Sequence, residues 1–377
     1  MKQTSRIIPT YTADVSGVCS ALFELGGMTI MHDASGCNST YNTHDEPRWY
    51  DSESLVFISA LTEIDAIMGN DEKLINDIVS AAEELKPNFI AIAGTPSPMM
   101  MGTDLPAVAQ VVEKRSGIPA FGFSTNGMHS YVSGAGQALA KVIGRLAKTD
   151  VAKVPNSVNL LGVTPLDFTV NGMVESMREV LEAEGYHINA VAAMGNNFDE
   201  ILNIGKGAVN LVVSYVGMPL AKELKKKFGT PFVVATPYEG LASEIVNELK
   251  IAEESGNDSY ALQKRTGDAQ SDLVLIGESV TMCSLAWAIE KKYGRKARVI
   301  SPVETNKAVL KDGDRYLRDE EDIEKTLQGA KQVIADPQYQ GILPQECNLI
   351  PLGHEGFSGR IYRKSIPNLV KEIPFVL

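Results

Sequence analysis

The sequence reads as an α/β chain of three Rossmann-like, doubly wound units with mainly parallel sheets. Three observations carry that reading. Short apolar and β-branched runs recur with little polar alternation, the mark of parallel strands buried on both faces. Each run breaks into a turn rich in Gly, Pro or Ser and then into a longer amphipathic stretch. Two polar intervals divide the series into three parts.

Taken in order, a first apolar run from Met28 to Met31 ends in the small-residue turn His32–Cys37. Phe89–Ala93 runs into Gly94–Pro98, and Ala120–Phe123 into Ser124–Gly127. Lys148–Asn156 is polar and precedes a fresh strand at Val158–Gly162, which turns through Val163–Asp167. Leu211–Tyr215 is followed by a lysine-rich helix to Phe228, whose Lys222–Lys227 stretch suits a solvated face. A second polar interval runs from Glu253 to Ser259 and again from Gly267 to Ser271. Beyond it, Leu273–Ile276 meets Gly277–Ser279 and a helix through Trp287. The boundaries expected are 1–153, 154–266 and 267–377, a repeated architecture without a fixed sequence period.

Bulk properties narrow the function. The 377 residues exceed one ordinary core. A formal charge of −12 lacks the basic footprint of nucleic-acid or anionic-membrane binding. No apolar run reaches the ~18 residues of a membrane helix, and Met1–Pro9 has no signal-peptide core. Four scattered cysteines make no secreted disulfide framework, so a cytoplasmic protein with reduced thiols is expected. Gly205–Gly207 and Gly134–Gln137 lack phosphate-loop or dinucleotide spacing, so no nucleotide is expected on this chain.

The chemistry-bearing residues are few. Cys19 and Cys37 flank the first strand, and two thiols converging near its turn can hold a soft metal. Cys19 equally suits a small core residue, and Cys37 a turn thiol. Cys283 lies in an apolar helix pattern and Cys347 at a late strand entrance, both read as packing. His129 follows a strand end and His354 sits in a Gly-rich loop after the last apolar run. Strand C-terminal ends face the crevice of doubly wound folds, where imidazole can ligate metal or deliver a proton. His32, beside the thiols, could tune a cluster through hydrogen bonds or serve as a strand-end core histidine. His44 lies in a polar stretch and is expected to be exposed or part of a docking surface.

Four motifs occur in a telling order. They are His32-Asp33-Ala34-Ser35-Gly36-Cys37, Gly102-Thr103-Asp104-Leu105, Phe228-Gly229-Thr230-Pro231 and Gly353-His354-Glu355-Gly356-Phe357-Ser358-Gly359. Together they resemble the nitrogenase component 1-type oxidoreductases, which include the molybdenum–iron protein, protochlorophyllide reductases, the F430 reductive cyclase and cofactor-assembly scaffolds. The resemblance implies an iron–sulfur cluster of the 4Fe–4S type shared across a subunit interface, with Cys37 and Cys19 as metal ligands; the family's first cysteine aligns nearer Ala13–Asp14 than Cys19, which makes Asp14 a conceivable further one. It implies a homodimer, or a heterodimer or heterotetramer with a paralogous component 1 subunit, and a transient P-loop iron-protein ATPase that passes electrons. Departures limit it. No cysteine stands in Thr95–Met101 where the family's third falls, and Ser214 replaces the thiolate of the catalytic cofactor, while His354 aligns with that cofactor's imidazole ligand.

The function this implies is the catalytic component of an ATP-dependent, low-potential nitrogenase-like reductase, with His129 and His354 lining the substrate pocket. The rival readings are a non-enzymatic scaffold for iron–sulfur or metallo-cofactor assembly, and a structural partner of an active paralogue.

Overall fold

The computed structural model describes residues 5–377 apart from 10, 35, 37, 39–44 and 70. Three sheets follow one another along the chain. The first orders as β2-β1-β3-β4, from β1 (Met28–His32), β2 (Leu55–Ile58), β3 (Ile90–Gly94) and β4 (Ala120–Phe123). The second orders as β6-β5-β7-β8, from β5 (Val154–Val163), β6 (His187–Ala193), β7 (Gly207–Val212) and β8 (Phe232–Val234). The third orders as β11-β10-β9-β12-β13. Its strands are β9 (Leu273–Ile276), β10 (Arg298–Ser301), β11 (Arg315–Tyr316), β12 (Gln332–Ala335) and β13 (Asn348–Pro351). Every ladder among these strands is parallel, as Met28 opposite both Leu55 and Ile90 shows for β1.

The strands form where the sequence offers unbroken apolar runs. β1, β3, β4 and β9 are buried along their whole length, because helices cover both faces. β5 begins at Val154, inside the interval read as a polar break, and its first three residues are exposed. The second polar interval also carries structure. Ser259 bridges to Val233, and Arg265 is buried in an ion pair with Asp314.

Helix Met218–Phe228 follows sequence chemistry, with Pro219 in its first turn, three lysines in its last and Gly229 closing it left-handed. Its lysines do more than face solvent. Lys225 pairs with Asp258, and Lys227 donates to the carbonyl oxygens of Gly144 and Ala147 at the C-terminal end of helix Tyr131–Leu146.

Close contact fixes one helix pair in the first unit. Helices Asp14–Leu22 and Tyr131–Leu146 touch backbone to backbone, since a Cβ on Gly134 would lie 1.9 Å from the Asp14 carbonyl oxygen. A Cβ on Gly17 would lie 2.3 Å from that of Tyr131, so neither position accepts a side chain without parting the helices.

Candidate functional site

The C-terminal ends of β4, β5, β9 and β13 bring four polar side chains to the junction of the three sheets. After β5, Thr164 leads into the short helix Pro165–Phe168, which carries Asp167. Asp167 Oδ2 accepts from Thr164 Oγ1 at 3.2 Å, and Oδ1 accepts from the Tyr131 hydroxyl at 2.5 Å. Tyr131 opens helix Tyr131–Leu146 beyond β4 and is fully buried. Burial first, then the Asp167 charge, pushes its pKa well above the ordinary range, so the phenol remains a donor.

His354 caps the short helix Glu355–Ser358 beyond β13, with Nδ1 accepting from the Gly356 N–H at 3.1 Å. An accepting Nδ1 places the neutral ring's proton on Nε2. Nε2 lies 3.4 Å from Asp167 Oδ1 but completes no hydrogen bond and is buried. The ring stacks on Phe357 at 4.4 Å, which stacks on Tyr11 at 4.5 Å. Asp336 fixes the loop by accepting from the His354 N–H at 2.8 Å and the Ser358 hydroxyl at 2.6 Å.

Glu278, beyond β9, is the fourth member. Its fully buried carboxyl caps helix Ser279–Tyr293 and accepts from the N–H groups of Val280, Thr281 and Tyr215 at 3.0, 2.9 and 3.1 Å. Burial, reinforced by the Asp167 charge, raises its pKa against those bonds. The junction therefore groups two buried carboxyls, a buried phenol and an imidazole N–H, a set that can hold and pass a proton.

The residues singled out in the sequence fall in different places. Cys19 is fully buried in helix Asp14–Leu22, where burial and then the nearby Glu46 charge raise its thiol pKa. Cys37 and His44 lie outside the described residues. His32 is buried at the end of β1, its Nδ1 2.8 Å from Ser59 Oγ, and burial lowers its pKa against the opposing Asp71 and Asp33 charges. Asp14 is buried, and its carboxylate accepts from the N–H groups of Gly127, Asn126 and Val15 at 2.8, 3.2 and 2.8 Å. Its own N–H donates to the His129 carbonyl oxygen at 3.0 Å, and His129 Nδ1 lies 3.6 Å from its carboxylate.

The structure thus brings Asp14 and His129 together, with His129 half-exposed on a cleft, while His354 is buried at the junction. Thr95, which opens the cysteine-free stretch Thr95–Met101, donates to Asp33 at 2.7 Å. Ser214 donates to the Gly162 carbonyl oxygen at 3.1 Å. Cys283 is buried against Arg265, and burial pushes its thiol up to about 12, while Cys347 is buried at the start of β13.

Among the described residues no group of three or more His, Cys, Asp or Glu side chains is arranged to hold a metal. The described donors do not fit an iron–sulfur cluster: Cys19 is enclosed, and Asp14 and His32 are committed to neighbouring protein groups. Tyr131, Asp167 and Glu278 were not singled out in the sequence. The available signal was position, since Asp167 and Glu278 each stand just past a buried strand.

The comparisons with known proteins agree with this architecture. A family model described as nitrogenase component 1 type oxidoreductase matches residues 16–245. The nitrogenase molybdenum-iron protein alpha chain of Clostridium pasteurianum is 29% identical over 185 residues, covering 47% of this chain and 33% of that one. The nitrogenase iron-molybdenum cofactor biosynthesis protein NifE of the same organism is 28% identical over 309 residues, covering 76% and 64%. A light-independent protochlorophyllide reductase chain of Prosthecochloris aestuarii is 28% identical over 160 residues, covering 41% and 29%. In each case the match spans less than two thirds of the relative's length. The solved structure of nitrogenase Cp1 at pH 6.5 shares the fold, with a TM-score of 0.70 at 18% identity over 98% of this chain and 92% of that one.

Proposed function

The chain belongs to the nitrogenase component 1-type oxidoreductase family, and from that premise we propose that it is the substrate-reducing component of a two-component reductase. Electrons come one at a time from a separate P-loop iron-protein ATPase, and this chain supplies protons at the junction of its three sheets. The observation that carries the reading is His354 Nε2–H held beside Asp167, which also takes the Tyr131 O–H. Reduction of an unsaturated substrate consumes protons with electrons, and these groups keep donors at one buried point. A reactive atom within reach of Nε2 would be held by the imidazole N–H, which would steady negative charge that arriving electrons bring to it.

An iron–sulfur cluster, in this reading, is shared with a second subunit, itself or a paralogue, and Cys37 is this chain's thiolate. No helix of the described residues is long and apolar enough to cross a membrane, and we place the protein in the cytoplasm. We keep 1–153, 154–266 and 267–377 as its functional division.

A second reading, a carrier for metallo-cofactor assembly, is favoured by the 309-residue match to the cofactor biosynthesis protein. Anaerobic purification with iron and sulfide counting tests both. Iron kept in Cys19→Ala and lost in Cys37→Ala supports the assignment. A wild-type protein without iron overturns the reductase and the carrier alike. Iron that stays bound through reductant- and MgATP-dependent turnover supports the reductase; iron that moves to an acceptor protein supports the carrier.

A further inference from the structure

Beside the junction, the described residues form a separate cleft of about 260 Å³, at the small end of ligand sites. Three parts of the chain wall it: the N-terminal segment at Ile8, the loop Gly127–Ser130 beyond β4, and the third unit from Pro302 to Ile323. It lies beyond the C-terminal ends of β4 and β10, where doubly wound folds take ligands. The loop is fixed from behind, because the Asp14 carboxylate and N–H hold Asn126, Gly127 and His129.

The charges in this cleft are unequally used. Glu320 is taken up by the N–H groups of Arg6, Ile7 and Ile8, and Glu304 by the N–H and hydroxyl of Ser130. Arg318 differs. Its guanidinium donates to the Met128 carbonyl oxygen at 3.3 Å and bonds the Tyr316 hydroxyl, but makes no ion pair among the described residues. His129 has Nδ1 near Asp14, which leaves Nε2 on the opposite ring edge. An uncompensated guanidinium in a concave, partly apolar site calls for a planar anion.

We infer that this cleft binds a small organic monocarboxylate, its carboxylate on Arg318 and His129 and its apolar body against Ile8, Met128, Pro302 and Ile323. A phosphate suits it less: Arg6 already pairs with Glu320, so a dianion would face Glu304 with Arg318 as its own guanidinium. The inference does not rest on the redox reading, and its test needs neither a metal nor turnover.

The full chain, labelled at its methionine methyl groups, would be titrated with butanoate and benzoate and with their uncharged amides, followed by NMR. Met128 is assigned through Met128→Leu. The expected result is a saturable shift of the Met128 signal, with the amides about tenfold weaker and Arg318→Ala weakening carboxylate binding about tenfold. Arg318→Lys, which keeps the charge but loses the fork, should fall between. Arg318 is exposed, so its loss leaves the fold intact. Equal binding of acid and amide, equal binding by Arg318→Ala, or no saturable shift at Met128 would each overturn the inference.

Discussion

The thiol-bearing end of the first sheet and the histidine-bearing end of the third are built in opposite ways. Around Cys19 the polar groups are settled close by: Asp14 on the 126–127 loop, His32 on Ser59, Asp33 on Thr95 and Asn38. At the junction the members come from all three sheets, and one donor, His354 Nε2, is left facing a carboxylate without a completed bond. Groups gathered within one unit satisfy one another here, even where, as for Asp14 and Gly127, they stand far apart in sequence. Reactive capacity collects where different units meet, and where one hydrogen bond stays open.

The largest expected effect tests the junction. Asp167→Ala removes the acceptor of Tyr131 and the neighbour of His354, and should cost about 3 kcal/mol in denaturant unfolding, with Asp167→Asn costing less. Asp14→Ala should cost about 2 kcal/mol and speed proteolysis within residues 126–130, because three backbone donors lose their acceptor. If Asp14→Ala proves the costlier, the contrast between the two ends fails.

Cys19→Ala should cost only about 1 kcal/mol, as a small enclosed side chain does. Native Cys19 should also resist alkylation until the protein unfolds. Rapid labelling of Cys19 in the native state would reopen its candidacy as a ligand.

The smallest effect is a control on the outside of the thiol-bearing unit. The Arg145 guanidinium and the Ala120 N–H hold the Glu113 carboxyl down at about 2, below the ordinary 4.5. A depressed carboxyl adds stability above its unfolded value and loses it as pH falls through the folded one. Both side chains are partly exposed, so Glu113→Gln should cost under about 1 kcal/mol at pH 7. That difference should shrink between pH 4.5 and 2. Stability profiles of the two proteins that stay parallel across this window would remove the assignment.

The sheets were legible because parallel strands buried on both faces leave unbroken apolar runs: Phe89–Ala93 became β3 and Leu273–Ile276 became β9. His354 was legible through its Gly-rich loop. Its partners were not, since Asp167 and Tyr131 lie in other units and only the packing of three sheets joins them. The environment of Cys19 was hidden for another reason. Nearly every residue of helix Asp14–Leu22 is buried, so its pattern marks no outer face. Lys227 misled differently, because a long lysine stem can carry its ammonium to carbonyl oxygens of a neighbouring helix.

The glycine contact between helices Asp14–Leu22 and Tyr131–Leu146 has a mechanical consequence. Two helices seated backbone on backbone at Gly17 and Gly134 behave as one strut. Cys19 rides on one member, and the other begins at Tyr131, whose hydroxyl ends on Asp167. Any displacement of helix Asp14–Leu22 would therefore have to carry Tyr131 with it or part the two helices, which ties the thiol end to the histidine end.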